Sequence, residues 1–136
     1  MSRAERPLVG LFAMEVFFVF AVYVVLTVLT STALACGACL DFVRHPSIAA
    51  IADRVSVPRT WMVPLGACLA SGSLGLLAGM AVPWIGTAAG MGLVLYFLGA
   101  VGAHLRVGDL RIGGALVFLS VSVAVLVLGI AVHGVA

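Results

Sequence analysis

Four stretches of the chain carry almost nothing but apolar and small residues: Leu8 to about Leu34, Trp61 to Val82, Trp84 to Leu105, and Ile112 to Val132. A bilayer core of about 30 Å takes roughly twenty residues of helix, so each stretch predicts one membrane crossing. The runs are continuous and do not alternate, which excludes the short strands of a membrane barrel. The predicted fold class is all-α, an integral membrane four-helix bundle, with residues 1–136 forming one transmembrane domain. The connection from Asp41 to Thr60 has a pattern of its own. Ile48, Ile51, Ala52 and Val55 recur at helical spacing between Pro46 and Pro58. This predicts a short amphipathic helix over about 47–56, lying in the interface plane with Trp61 just beyond it.

The first run is checked against a secretory signal because Arg3 and Arg6 precede it and Ala33-Leu34-Ala35 looks like a cleavage site. Its apolar length is well beyond the roughly 7–15 residues of a signal core, and Glu15 interrupts it, so a retained helix is expected. The second and third runs are joined only by Ala81-Val82-Pro83-Trp84 and must form an antiparallel hairpin. Ala67, Ser71, Gly75 and Gly79 make an every-fourth ladder on one helix, and Gly86 with Gly90 repeats the spacing on the other. Small residues let helices approach where lipid supplies no hydrophobic drive.

Composition agrees with the pattern and narrows it. Apolar residues make up 64% of the chain and charged ones 9%, against about a quarter in ordinary globular proteins. The mean hydropathy is +1.31. Seven arginines, five acids and no lysine give a net charge of +2, too weak a bias for a nucleic-acid partner. Four crossings put both termini and the 81–84 turn on one side with Arg3 and Arg6. The other side holds Arg44, Arg54, Arg59, Arg106 and Arg111. The excess predicts that the long connections 41–60 and 106–111 are cytoplasmic, in a multi-pass protein of the cell membrane.

Cys36 and Cys39 lie three apart at the end of the first run, and Cys68 enters from the second. At about 1.5 Å per residue all three fall toward one membrane face, with Asp41, His104 and Arg106. A CxxC pair can cycle between dithiol and disulfide and pass electrons to a partner or quinone, which makes Cys36, Cys39 and Cys68 the candidate thiols. The bland alternative is cysteine as a small apolar helix residue. A zinc site from Cys36, Cys39, Cys68 and His104 lacks the usual second paired motif, so no metal is assigned.

His104 and Arg106 close the third run, where both suit the negative end of a helix. They also suit an anionic or quinone-like headgroup, with His104 as proton donor. With Asp41 and the mid-span Tyr96 they form the candidate ligand site, although Asp41 or Asp109 could instead pair with Arg106. Glu15 lies about two turns inside its run, where an ionised side chain costs at least a few kcal/mol. His133 is the titratable group nearest the same face, so a Glu15–His133 pair is expected, with snorkelling to the interface as the alternative.

The residues from about Cys36 to Asp109 resemble the DoxX-like membrane proteins of bacteria. Val57-Pro58-Arg59-Thr60-Trp61, Leu65-Gly66 and the run Gly72 to Gly79 resemble that family's proline-tryptophan entry and glycine-rich second helix. Gly90 to Ala100, ending in His104-Leu105-Arg106, is similar to its third helix. Many members carry glutamate where this chain has Leu69, so no role of that acid transfers. The resemblance implies a four-helix membrane fold and an accessory subunit of a quinone- or thiol-linked redox system. A non-enzymatic assembly or structural partner is the alternative, and a small transporter is the weakest reading, since Glu15 alone charges a span. The expected partners are the lipid bilayer and a membrane protein or second copy, and a quinone is the one cofactor the chemistry suggests.

Overall fold

The computed structural model describes residues 5–134. Five α-helices follow one another: α1 (Glu5–Phe42), α2 (Pro46–Arg54), α3 (Met62–Gly79), α4 (Pro83–Arg106) and α5 (Gly113–Gly134), with a single 3-10 turn, Arg59–Trp61, leading into α3. The long four are each long and apolar enough to cross a bilayer. They form a ring in which α3 packs on α1 and α4, and α5 packs on α4 and closes against α1. The shared core includes Tyr23, Leu34, Leu76, Leu93, Phe97 and Val125. The short α2 lies between the first two crossings, as the apolar spacing predicts.

Two boundaries differ from the hydropathy pattern. Helix α1 runs on past Leu34 to Phe42 and takes Cys36, Cys39 and Asp41 into the helix. A lone Gly37 does not stop a helix, and the stop comes only at Arg44, whose φ of 50° ends the right-handed path. Helix α2 ends at Arg54 because Ser56 adopts a φ of 56°. Its start is set by Pro46 in the first turn and by His45, whose Nδ1 accepts the Ser47 N–H.

The α3–α4 hairpin is closed by glycines, in a register one step from the expected ladder. Gly72, Gly75 and Gly79 face Leu93, Ala89 and Gly86 in turn. A Cβ on Gly79 would collide with the Gly86 backbone, and one on Gly75 would lie 2.6 Å from the Ala89 Cβ. Ala67 and Ser71 instead face outward, where the Ser71 hydroxyl bonds its own helix at the Ala67 carbonyl, and Gly90 packs on Leu126 of α5. The small residues were sorted by a period of about 3.6, so a strict every-fourth ladder drifts off the contact face. Across the α1–α3 contact the Ser73 hydroxyl donates to the Ser31 carbonyl at 2.8 Å, a buried polar tie between helices.

At the far end of the bundle Tyr23 meets the His133 ring edge-on at 5.7 Å, so α5 finishes at the level of Tyr23. The 38 residues of α1 span about 57 Å, and its earlier part continues past its neighbours. Every residue from Leu8 to Phe20 is exposed there.

Candidate functional site

Three helices end close together at the opposite face, and all three end in the same way. After α1, α2 and α4 the chain takes one left-handed residue, Arg44, Ser56 and Gly108, with φ of 50°, 56° and 69°. In each turn the following residue's N–H folds back to a carbonyl of the last helical turn: His45 to Leu40, Val57 to Ala52, and Asp109 to His104. This satisfies carbonyls that the helix leaves free and reverses the chain sharply.

The reversal after α4 carries chemistry. It brings the Asp109 carboxylate over the helix end, where its Oδ2 lies 3.0 Å from His104 Nδ1. The Arg111 N–H donates to the other oxygen at 3.1 Å, and Arg54 of α2 approaches Oδ2 at 4.0 Å. The Arg111 N–H, the His104 bond and the Arg54 charge together hold the Asp109 carboxyl below its ordinary range, against a smaller opposing effect of burial. An ionised carboxylate only accepts, so His104 donates through Nδ1. Asp109 therefore pairs with His104 and Arg54, and Arg106 reaches elsewhere. Its Nη2 donates to the Val55 carbonyl at the end of α2, at 3.3 Å. On the outer side of α2, hydrogen bonds from Arg59 depress Asp53. Side chains from the 3-10 turn, α4 and its following loop thus fasten α2 over the end of the bundle.

Beneath α2 is a cavity of about 820 Å³ with walls from all five helices. Most of the wall is apolar. Tyr96 and Phe97 meet edge-on at 5.0 Å, and Phe97 stacks on Phe118 at 5.3 Å. The polar groups are few: Asp41, Tyr96, His104 and, at the rim, Arg54, Ser56, Arg106 and Arg111. Asp41 enters from α1 because Gly66 of α3 leaves room for it, a Cβ there falling 2.8 Å from the Asp41 Cβ. Asp41 is only 5% exposed, and its carboxylate has no hydrogen-bond or ion-pair partner among the described residues. The four residues of the expected ligand site are thus brought to one cavity.

The other sequence candidates lie apart from it. Cys36, Cys39 and Cys68 are free and exposed, on outer surfaces of α1 and α3, and none lines the cavity. Among the described residues no cluster of histidine, cysteine and acidic side chains is placed to hold a metal. Glu15 and His133 are not brought together: Glu15 is exposed on the part of α1 beyond the bundle, and His133 Nδ1 sits 2.7 Å from the Gly129 carbonyl. Eight helical residues, about 12 Å of rise, separate Glu15 from the Tyr23 level where His133 packs. The sequence reading missed the His104–Asp109 pair and the ties to α2. Gly108 carried the signal, since glycine just past a helix end implies the reversal that returns Asp109 to His104.

Four apolar crossings, a glycine-sealed hairpin and a cavity under an interfacial helix define a small multi-pass membrane protein. The chain belongs to the DoxX-like family, whose model matches residues 25–132. No curated protein and no solved structure matches it. The match leaves outside it the part of α1 that passes beyond the bundle.

Proposed function

We propose that this protein is an accessory subunit of a membrane-associated redox system, and that its cavity holds a quinone-type amphiphile. The observation carrying this reading is the 820 Å³ cavity itself. Ligand sites of this kind are mostly apolar, of about 300–1,000 Å³, with a few convergent polar groups that fix orientation. Here aromatic walls suit a flat ring, and Asp41, Tyr96 and His104 suit its oxygen substituents. The cavity contains no thiol, so Cys36, Cys39 and Cys68 serve, where they serve, on the outer surface toward a partner subunit. With five arginines on the connections at this end, the cavity faces the cytoplasm.

Purification from native membranes in mild detergent, followed by lipid extraction and identification of bound proteins, tests the reading. A quinone at near-stoichiometric amount together with a redox protein is the expected result. A preparation with neither, whose Cys36→Ala and Cys68→Ala variants support the same cellular respiration as the parent, leaves a structural or assembly role in its place. Membrane-impermeant labelling of a Ser56→Cys variant, in a background with the three native cysteines replaced, should succeed only from the cytoplasmic side.

A further inference from the structure

The two most deeply buried polar groups of the cavity, Asp41 and His104, both turn acceptor atoms toward it. His104 gives its Nδ1 proton to Asp109, so in the neutral ring the remaining nitrogen, Nε2, is an acceptor, and it has no partner among the described residues. Asp41 is buried with no partner among the described residues, and in its ionised form it accepts only. Tyr96 can turn its hydroxyl either way. The charged donors, Arg54, Arg106 and Arg111, stand on the exposed rim, where water replaces a lost contact at little cost. Buried acceptors are different, because one left facing another acceptor bears its full desolvation penalty.

We infer that the cavity selects a headgroup that donates hydrogen bonds, and so takes the hydroquinone form of its ligand in preference to the quinone form. The inference rests on the reading that the cavity takes a quinone-type amphiphile, and adds which oxidation state it holds. A quinone presents two carbonyl oxygens, which accept only. The hydroquinone, richer by two electrons and two protons, presents two hydroxyl groups that donate to Asp41 and His104. A hydrogen bond to a charged acceptor is roughly twice as strong as a neutral one, and removing it leaves Asp41 stranded. The expected preference is therefore about tenfold or more. Tighter binding of the reduced form raises the midpoint of the bound couple, by about 30 mV for each tenfold in this two-electron pair. The bound ligand is then harder to oxidise than the free pool, which suits a site that retains the reduced form for a partner.

The test is anaerobic titration calorimetry at pH 8 on the full chain in lipid nanodiscs, with empty discs subtracted. The probes are an alkylated para-benzoquinone and the same compound reduced to its hydroquinone. The wild type should bind the hydroquinone about tenfold more tightly or better. Asp41→Asn, which keeps the shape and offers an amide donor beside its acceptor, should bring the two forms to within about threefold. Equal affinities in the wild type, or tighter binding of the quinone, overturn the inference and leave the cavity reading standing. An unchanged preference in Asp41→Asn overturns the part assigned to Asp41. Failure of both forms to bind above empty discs removes the quinone reading and this inference together.

Discussion

At the Gly79–Gly86 crossing the backbones of α3 and α4 touch, and at the other end of the same hairpin the two helices stand apart on either side of an 820 Å³ cavity. The residues between form a graded series. Backbone meets backbone at Gly79, a methyl fills the gap at Gly75 and Ala89, and a whole Leu93 side chain rests on Gly72. Beyond that, Leu69, Leu65 and Tyr96 line an open space. The hairpin is a V whose angle is set by side-chain size. The contrast teaches where each end obtains its order. The closed end relies on close packing, which tolerates no added volume. The open end relies on capping turns and charge ties, which leave volume for a ligand.

The largest effect should come from widening the closed end. Gly79→Val sets a branched side chain against the Gly86 backbone, which cannot turn away, and should destabilise by at least the roughly 3 kcal/mol at the top of the overpacking range. Gly75→Leu, against the Ala89 methyl, should cost about 1–3 kcal/mol. Gly92→Leu is the control, because nothing lies within 4 Å of a Cβ there. Thermal melts in detergent rank the three, and equal melting temperatures for Gly79→Val and Gly92→Leu would erase the V.

The open end should reveal itself through acid. Asp109 is held below its ordinary pKa in the fold, so its contribution is present above the unfolded value of about 4 and is lost as pH falls through the lower folded value. Melting temperature should therefore drop as pH is taken below about 4, and the drop should be shallower in Asp109→Asn. Gly79→Val should keep the wild-type acid limb, since its damage is steric. The smallest effect is at the end of α2. Ser56 holds a left-handed backbone that glycine adopts without penalty, and Ser56→Gly should raise stability by roughly 0.5–1 kcal/mol. A fall in melting temperature would show that the Ser56 side chain contributes a contact outweighing its backbone cost.

Much of this architecture is legible without coordinates because solvent writes it into the chain. Crossing a bilayer demands about twenty apolar residues in a row, an interfacial helix demands a one-sided stripe, and both patterns are local. Four crossings, the place of α2 and the tight hairpin follow from such runs, and the resemblance over about Cys36 to Asp109 falls inside the segment 25–132 that the family model matches. Helix α1 continues past its apolar run because Ala35 to Leu40 contains no strong stop, and its end is an arginine in a conformation that sequence does not favour. The site divides in the same way. Asp41, Tyr96, His104 and Arg106 were recognisable as polar residues toward one end of apolar helices. Which of them carries a partner was not. Partner choice depends on side chains from different helices meeting at a few ångströms, where a single turn of register exchanges one neighbour for another. Thus Asp109 reaches His104 through the turn at Gly108, Arg106 reaches Val55 across to α2, and Glu15 and His133 stay apart because α1 outruns the bundle. The sequence alone determined the membrane as solvent and the number of crossings, since hydropathy acts residue by residue. Only the tertiary structure decided that Asp41 would be buried in a cavity with no partner among the described residues, because that is a property of how five helices share one end.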